Sequence, residues 1–465
     1  MNLRKLAKVA IPALSLSLLG MGINTWDVEI NQVTRRWPAL HFQSQYNLPN
    51  TQEPEIVSPL PVVSMPNERS TLEERIAELL ITTSKNLGKY TPGGVLLRKE
   101  DTRKGHLFGK HASYSASRTQ SAVEDIRERA LSAKQRILVY DEGEGGFVPR
   151  VGVLPTAEDI GNYFSDNVIG KTIEGKVLSL ENKNQREYQI EKLFADYAGE
   201  LKARGVNAVF GPVLDVPKED SSDNLIKKDG RSFSDRHIEV RLIAVLYAQA
   251  MHREGIRVVG KHFLNVGLGG NGNVHTQQVP TSDNITQRRR AAHTYRVLKR
   301  DLDGVMVTHL GNYSDGNRSD EEDQRPYSIS RRGLELLTKK HYPSRHKEPE
   351  TFAKNRNVEV YDNNTGVNFG GLVVLDDLSM RGLLDYINTH ELSEYGKKLT
   401  AGCKTDEAKA AVLALDAGAH TFIVFRADTT AIVEGLAYAA NADKPFKRKV
   451  EYAISQYQQF AEARQ

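Results

Sequence analysis

The sequence has little cysteine and few long apolar runs, and each shortage excludes a class of protein. Cys403 is the single cysteine among 465 residues, so the chain can form neither an intramolecular disulfide nor a zinc site with several cysteine ligands. No stretch reaches the roughly 18 consecutive apolar residues of a membrane-spanning helix, which excludes a protein with several such helices. The 63 basic and 59 acidic residues give a formal net charge of +4, and this even balance does not indicate a nucleic-acid partner.

The motifs of common metal and nucleotide sites are also missing. The sequence has no His-Glu-x-x-His metal motif and no Walker A phosphate loop. A glycine-rich segment at 267–272 follows a predicted strand, but no helix begins within it and no matching acidic ribose partner follows. We interpret it as a flexible loop, since glycine tolerates unusual backbone dihedrals. We therefore expect no metal and no organic cofactor.

Residues 1–27 have the composition of an export signal or an N-terminal membrane anchor. Arg4, Lys5 and Lys8 precede a run of apolar and small residues over 9–23, and this order is typical of export signals. No Ala-x-Ala cleavage site is evident, so a cleaved signal and an uncleaved anchor both remain open. We expect an exported protein, periplasmic or otherwise extracytoplasmic, that meets the membrane only through this segment.

Residues 28–68 are predicted to be a linker. They contain six prolines and show poor helical or strand periodicity, as extended spacers do. Folded structure is predicted to begin at Thr71-Leu-Glu-Glu74, a capping box that starts a helix. We expect one barrel domain over 69–445, interrupted by a polar insert at 343–368, and a C-terminal helix over 446–465.

After residue 70, short and nearly all-apolar runs alternate with segments of helical period. Such runs are typical of parallel strands buried on both faces. The predicted strands cover 78–83, 94–97, 136–140, 207–210, 257–260, 304–308, 371–375 and 421–425. The predicted helices cover 121–134, 185–204, 236–254, 286–301, 331–341, 404–417 and 428–441. This alternation predicts an α/β protein with a (β/α)8 TIM barrel, and a doubly wound sheet is the alternative.

Polar residues follow five of the predicted strands. In a TIM barrel the chemistry lies at the carboxyl ends of the strands. The residues there are the segment 141–146, Asp215, Lys261 with His262, Thr308 with His309, and Asp376 with Asp377. Each alone can be explained as a loop charge or a structural hydrogen bond. Five polar strand ends on one rim together predict a pocket for a polar, neutral substrate.

In their order, these segments resemble glycoside hydrolase family 3, most closely its NagZ-like β-N-acetylglucosaminidase branch. The resemblance runs from about Leu72 to about Ala440. It rests on six motifs: Leu72-Glu-Glu-Arg-Ile76, the segment 205–216 around Gly-Pro-Val-Leu-Asp, Gly230-Arg-Ser-Phe-Ser234, Lys261-His-Phe263, Asp376-Asp-Leu-Ser-Met380 and Leu415-Asp-Ala-Gly418. It includes no counterpart of the family's second α/β domain, so it implies a single barrel domain.

The resemblance implies a retaining glycoside hydrolase that removes β-linked N-acetylglucosamine-type sugars from amino-sugar or cell-wall glycans. In such enzymes one carboxylate attacks the anomeric carbon, while a second group protonates the leaving oxygen and later activates water. The matched positions imply Asp376 as nucleophile and His275 as acid/base. Asn273 stands where the family has an aspartate that supports this histidine. An amide cannot stabilise imidazolium by charge, so we expect a weaker acid/base.

The resemblance also implies residues that bind the sugar. These are Lys261, His262, Arg231, Arg150 and either Glu142 or Asp141, because the third-strand motif aligns in two ways. The segment Leu264-Asn-Val-Gly267 departs from the family's Pro-Gly-His-Gly. Two other functions therefore remain open, a non-catalytic glycan-binding barrel and a β-glucosidase-like enzyme. The expected partner is a carbohydrate, and the oligomeric state stays unknown.

Overall fold

The computed structural model describes 70–104, 113–145, 151–152, 154–165, 180–217, 224–269, 273, 275–276, 279, 285–311, 325–339 and 366–462. The predicted export segment, the linker, most of the insert at 343–368 and Arg150 lie outside the described residues. Those predictions stay predictions.

Eight parallel strands close into a barrel in which each strand pairs with its neighbours in the chain and the last strand pairs with the first. They are Leu80–Thr83 (β1), Gly94–Leu96 (β2), Leu138–Asp141 (β3), Ala208–Val209 (β4), Arg257–Phe263 (β5), Gly304–Val307 (β6), Leu372–Leu375 (β7) and Thr421–Val424 (β8). Each coincides with one predicted strand. Because β1 pairs with both β2 and β8, this sheet has no edge strand. The predicted TIM barrel is confirmed, and the doubly wound alternative is wrong.

Helices surround the barrel. They are Leu72–Ala77 (α1), Lys99–Thr102 (α2), Ala116–Ala133 (α3), Ala157–Ser165 (α4), Leu180–Ala203 (α5), Leu225–Lys228 (α6), His237–Arg253 (α7), Ile285–Leu298 (α8), Arg331–Thr338 (α9), Arg381–Thr389 (α10), Glu394–Thr400 (α11), Asp406–Ala417 (α12), Thr429–Ala442 (α13) and Lys444–Glu462 (α14). Two 3-10 turns, Val266–Leu268 and Tyr327–Ile329, and a ribbon of Arg103–Lys104 with Ser113–Tyr114 complete the described elements. The seven predicted helices are all present.

The capping box at the start of α1 is present as predicted. The amide of Glu74 donates to Oγ1 of Thr71 over 3.2 Å, and the amide of Thr71 donates to Oε2 of Glu74 over 2.8 Å. The two side chains thus satisfy two amides at the start of the chain's first described helix.

Helix α14 packs against the amino end of the barrel. Its last carbonyls would otherwise lack partners, as at any helix end. The guanidinium of Arg257, the first residue of β5, donates to the carbonyls of Phe460 and Ala461. Arg136, two residues before β3, donates to the same Ala461 carbonyl over 2.7 Å. Two arginines of the barrel therefore supply hydrogen-bond donors to the carboxyl end of this helix. Among the described residues, no helix has both the length and the hydropathy to cross a membrane.

Candidate active site

The carboxyl ends of β3, β4, β5 and β7 bring most of the predicted site residues to one rim. Glu142 and Glu144 follow β3, and Asp215 lies shortly after β4. Lys261 and His262 are among the last three residues of strand β5, and Asp376 is the first residue after β7. Arg231 reaches the same rim from the loop between α6 and α7.

A cluster of four charged side chains forms the β3–β5 side of this rim. The guanidinium of Arg231 donates from Nε and Nη2 to the two carboxylate oxygens of Glu144, both over 2.7 Å. The ammonium of Lys261 lies 2.6 Å from Oε1 of Glu144 and 2.9 Å from Oε2 of Glu142. Two acids and two bases thus balance in charge, as buried ionic groups require.

The charges within this cluster keep one another ionised. Burial alone would raise the pKa of Glu144, but the charges of Arg231 and Lys261 outweigh it and hold that pKa well below its ordinary value. Burial likewise opposes the charge of Lys261, yet Glu142 and Glu144 raise the pKa of its ammonium. Glu144 and Lys261 therefore both stay charged at neutral pH.

Beside the cluster, a second pair joins β4 to β5. Nδ1 of His262 lies 2.6 Å from Oδ2 of Asp215, whose side chain is completely enclosed. The other oxygen of Asp215 accepts the amide of Val266 over 2.7 Å. The buried carboxylate therefore fixes both the imidazole and the loop that follows β5.

Asp141 takes part in the loop rather than in this cluster. Its completely buried carboxylate accepts the amides of Gly143 and Val151 and the hydroxyl of Tyr197. Of the two aligned acids, Glu142 has its carboxylate beside Lys261. The carboxylate of Glu142 thus lies in the charged cluster, and that of Asp141 holds the loop after β3.

The loop after β5 holds together although it departs from the family motif. Asn265 adopts φ 146°, in the region that favours glycine, and occupies the place of a motif glycine. Its amide group accepts from the amides of Val216 and Gly267 and donates to the carbonyl of Val216. The asparagine side chain thus offsets the unfavourable backbone with three hydrogen bonds.

Asp376 is half-buried on the opposite side of the rim. Its Oδ1 accepts the amide of Asp377 over 2.8 Å. Burial acts to raise its pKa, but the nearby charges of His262, His309 and His275 outweigh burial and lower that pKa. The carboxylate is therefore ionised at neutral pH and lies within the electrostatic reach of three histidines.

Asp377 has a local role, in contrast to its neighbour. Its carboxylate accepts the amides of Ser379 and Phe425 and the hydroxyl of Ser379. Burial raises its pKa above the ordinary value. The group ties the end of β7 to the end of β8.

His275 is exposed and its loop is anchored to α10. The carbonyl of His275 accepts the amide of Arg381 over 3.4 Å. Oδ1 of Asn273 accepts the main-chain amide of His275 over 2.9 Å. Asn273 therefore shapes the turn through the backbone of His275.

Three further residues at this rim were not assigned a role from the sequence. They are Glu144, Asp215 and His309. His309 is completely buried, between the hydroxyl of Ser328 and the carbonyl of Asp377. Their positions at the ends of predicted strands were the only signal in the sequence that could have indicated a role. Their hydrogen-bond partners are distant in the chain, so no local pattern reveals them.

The model of the glycosyl hydrolase family 3 N-terminal domain matches residues 71–454. This range spans α1, all eight barrel strands and the first half of α14.

Two curated proteins named beta-hexosaminidase are similar to part of the chain. The one from Idiomarina loihiensis is 28% identical over 190 residues, which are 40% of this chain and 51% of that protein. The one from Methylococcus capsulatus is 29% identical over 221 residues, which are 46% of this chain and 55% of that protein. The chain spans about half the length of the curated relatives it matches.

Solved structures share the fold. A beta-N-acetylhexosaminidase from Beutenbergia cavernae matches with a TM-score of 0.60 at 18% identity, covering 85% of this chain and 99% of that chain. LpqI of M. tuberculosis matches with a TM-score of 0.57 at 20% identity, covering 84% of this chain and 94% of that chain. At these identities the likeness establishes the fold alone.

Proposed function

The chain belongs to glycosyl hydrolase family 3, as its motifs predict, and from this premise we propose that it is a retaining glycosidase. Its proposed substrates are amino-sugar or cell-wall glycans that end in a β-linked N-acetylglucosamine-type sugar. The name beta-hexosaminidase of the two curated relatives supports this specificity.

The position and charge of Asp376 carry the proposal. The residue stands at the carboxyl end of a barrel strand, where TIM-barrel enzymes hold their catalytic groups. Its lowered pKa keeps it ionised, and an ionised carboxylate can attack the anomeric carbon and stabilise positive charge there. Because Oδ1 already accepts an amide, Oδ2 is the oxygen that attacks.

The charged cluster supports the binding of a sugar opposite Asp376. Arg231 donates hydrogen bonds to sugar hydroxyls, and Glu142 accepts them. Lys261 and His262 complete this side of the pocket. A pyranose presents many hydroxyls at fixed spacing, so a rigid set of donors and acceptors orients it for attack.

The reaction has two steps. First, Oδ2 of Asp376 bonds to the anomeric carbon while the glycosidic C–O bond breaks, and protonated His275 gives its proton to the leaving oxygen. Second, neutral His275 takes a proton from water, the water oxygen bonds to the anomeric carbon, and the bond to Asp376 breaks. Each group ends in its starting state, and the sugar retains its configuration.

Hydrolysis of 4-nitrophenyl N-acetyl-β-glucosaminide tests this function. The wild type should release nitrophenol, and Asp376→Asn should lower kcat by at least about 1,000-fold. Asp385→Asn is the matched control, since it removes an exposed carboxylate on nearby α10. Full activity of Asp376→Asn, or an inactive wild type, contradicts the proposal.

The second candidate is a glycan-binding barrel without turnover. Asn273 favours it, because the group that stands in for the supporting aspartate contacts the backbone of His275. Calorimetric binding of chitobiose by a wild type that hydrolyses no aryl glycoside would establish it. Adding an aryl β-glucoside to the panel separates a β-glucosidase from both.

We also propose that the protein is exported, on the basis of the charged and apolar segments within 1–27. Fusion of residues 1–68 to alkaline phosphatase, which is active only outside the cytoplasm, tests this. An inactive fusion contradicts export. N-terminal sequencing of the mature protein distinguishes a cleaved signal from an anchor.

A further inference from the structure

The charged cluster has two layers that differ in exposure. The side chains of Lys261 and Glu144 are each 2% exposed, whereas those of Arg231 and Glu142 are 13% and 15% exposed. Arg231 and Glu142 are therefore the groups that reach the rim. Lys261 and Glu144 lie beneath them.

Glu144 binds both bases of the cluster at once. Its Oε1 receives Nη2 of Arg231 at 2.7 Å and Nζ of Lys261 at 2.6 Å, and its Oε2 receives Nε of Arg231 at 2.7 Å. Both oxygens are thus taken up by protein donors. A carboxylate so placed orients other groups and does not itself contact substrate.

We propose that Glu144 is a positioning residue that aims the guanidinium of Arg231 at the sugar and holds Lys261 against Glu142. This role rests on the proposed glycosidase function. A two-point contact between a guanidinium and a carboxylate fixes the plane of the guanidinium as well as its position. Without Glu144, the guanidinium of Arg231 keeps its charge, but its orientation is no longer fixed.

The loop that carries Arg231 has anchors that do not involve Glu144. The amide of Arg231 donates to the carbonyl of Ile226 over 2.9 Å, and the hydroxyl of Ser232 donates to the carbonyl of Asp215 over 2.8 Å. Loss of Glu144 should therefore release the side chain of Arg231 while the backbone of the loop stays in place. A positioning role and a purely structural role then predict different kinetics.

Glu144→Gln is the test, because glutamine keeps the size of the side chain but has only one acceptor oxygen. Glu158→Gln is the matched control. It removes an exposed carboxylate of α4 that lies beside Gly230, the residue before Arg231. We expect Glu144→Gln to raise KM for the aryl glycoside about 10-fold with kcat within about 2-fold, and the control to leave both unchanged. A purely structural role would reduce the fraction of folded enzyme, which lowers the apparent kcat and leaves KM unchanged. That result overturns the proposal.

Chemical modification gives a readout that needs no turnover. Phenylglyoxal reacts with accessible guanidinium groups, and peptide mass mapping locates the product. We expect the peptide with Arg231 to react several-fold faster in Glu144→Gln than in the wild type or in Glu158→Gln. Equal modification rates in the three proteins overturn the proposal for Glu144, whether or not the wild type hydrolyses glycosides. A wild type that hydrolyses no glycoside contradicts the proposed function instead.

Glu144→Asp keeps the test decisive if the glutamine variant does not fold. Aspartate retains the charge, but its shorter side chain cannot hold both bases at the observed distances. We expect its KM and the modification rate of its Arg231 to lie between the wild-type values and the values expected when Arg231 has lost its contact with Glu144. Wild-type values for both quantities overturn the positioning role.

Discussion

Nδ1 of His262 lies 2.6 Å from a carboxylate oxygen of Asp215, and Asp215 is completely enclosed. The pair joins two neighbouring strand ends and leaves the other ring nitrogen, Nε2, for the pocket. The charge of His262 is also the largest of the three histidine contributions that lower the pKa of Asp376. One buried carboxylate thus acts, through His262, on the group proposed as nucleophile.

Asp215→Asn should weaken this arrangement without changing its shape. Asparagine still accepts the amide of Val266, but it holds the imidazole without a charge. We expect the free energy of unfolding to fall by about 1–3 kcal/mol, measured by urea denaturation. Asp385→Asn, which removes an exposed ion pair with Arg381, should change it by less than about 1 kcal/mol. Equal losses in the two variants would contradict the role of Asp215.

His262→Gln should shift the acid limb of the pH–rate profile to higher pH. The pKa of Asp376 lies below its ordinary 3.8 because histidine charges outweigh the effect of burial. Removing the largest of these charges should raise that pKa, so kcat/KM should begin to fall at a higher pH. His390→Gln is the control and should leave the limb in place, since this half-buried histidine follows α10 and stacks on Tyr386.

The same shift has a consequence for stability. Because the folded state lowers the pKa of Asp376, ionised Asp376 stabilises the fold above the ordinary pKa of its unfolded state. This contribution is lost as pH falls through the lower folded pKa. In His262→Gln the Asp376 contribution should be smaller, which urea denaturation at a series of pH values from above to well below 3.8 measures. An identical pH dependence in the two proteins would contradict the coupling.

Asn273→Asp should increase the activity of the proposed acid/base. Aspartate can keep the contact with the amide of His275 and adds a charge that stabilises imidazolium. We expect kcat to rise about 10-fold for a phenyl glycoside, whose leaving group needs a proton. A 2,4-dinitrophenyl glycoside needs little protonation and should show no gain. A gain of equal size with both substrates would argue against proton transfer by His275.

The Asn265 variants should separate backbone strain from hydrogen bonding. Asn265→Ala keeps the strained φ of 146° and loses three hydrogen bonds. Asn265→Gly loses the same bonds but relieves the strain. Thermal unfolding should therefore rank the wild type above the glycine variant and the glycine variant above the alanine variant, with about 1 kcal/mol between the two variants. A glycine variant no more stable than the alanine variant would contradict strain at this position.

Features that depend on local sequence were predictable. The eight strands follow from apolar runs that must be buried on both faces, and α1 begins at the capping box of Thr71 and Glu74. The rim was predictable because parallel strands end on the same side. Helix α10 was missed, since Met380 stands at its start and makes no capping hydrogen bond with its side chain.

Features that depend on distant pairing were not predictable. Glu144 and Arg231 are 87 positions apart, so no local pattern links them. The different surroundings of Asp141 and Glu142 also depend on the fold, because their hydrogen-bond partners Val151, Tyr197 and Lys261 are distant in the chain. Asn273 was recognised as a departure, but its contact with the backbone of His275 depends on the geometry of the turn.

The contact of α14 with Arg136 and Arg257 has a consequence for how this chain is made. Both arginines are translated long before Phe460 and Ala461, the residues whose carbonyls they bind. Likewise, β1 obtains its second neighbour only when β8 has been synthesised. The barrel sheet therefore cannot close on the ribosome until β8 has emerged, and the contacts of Arg136 and Arg257 with α14 form later still.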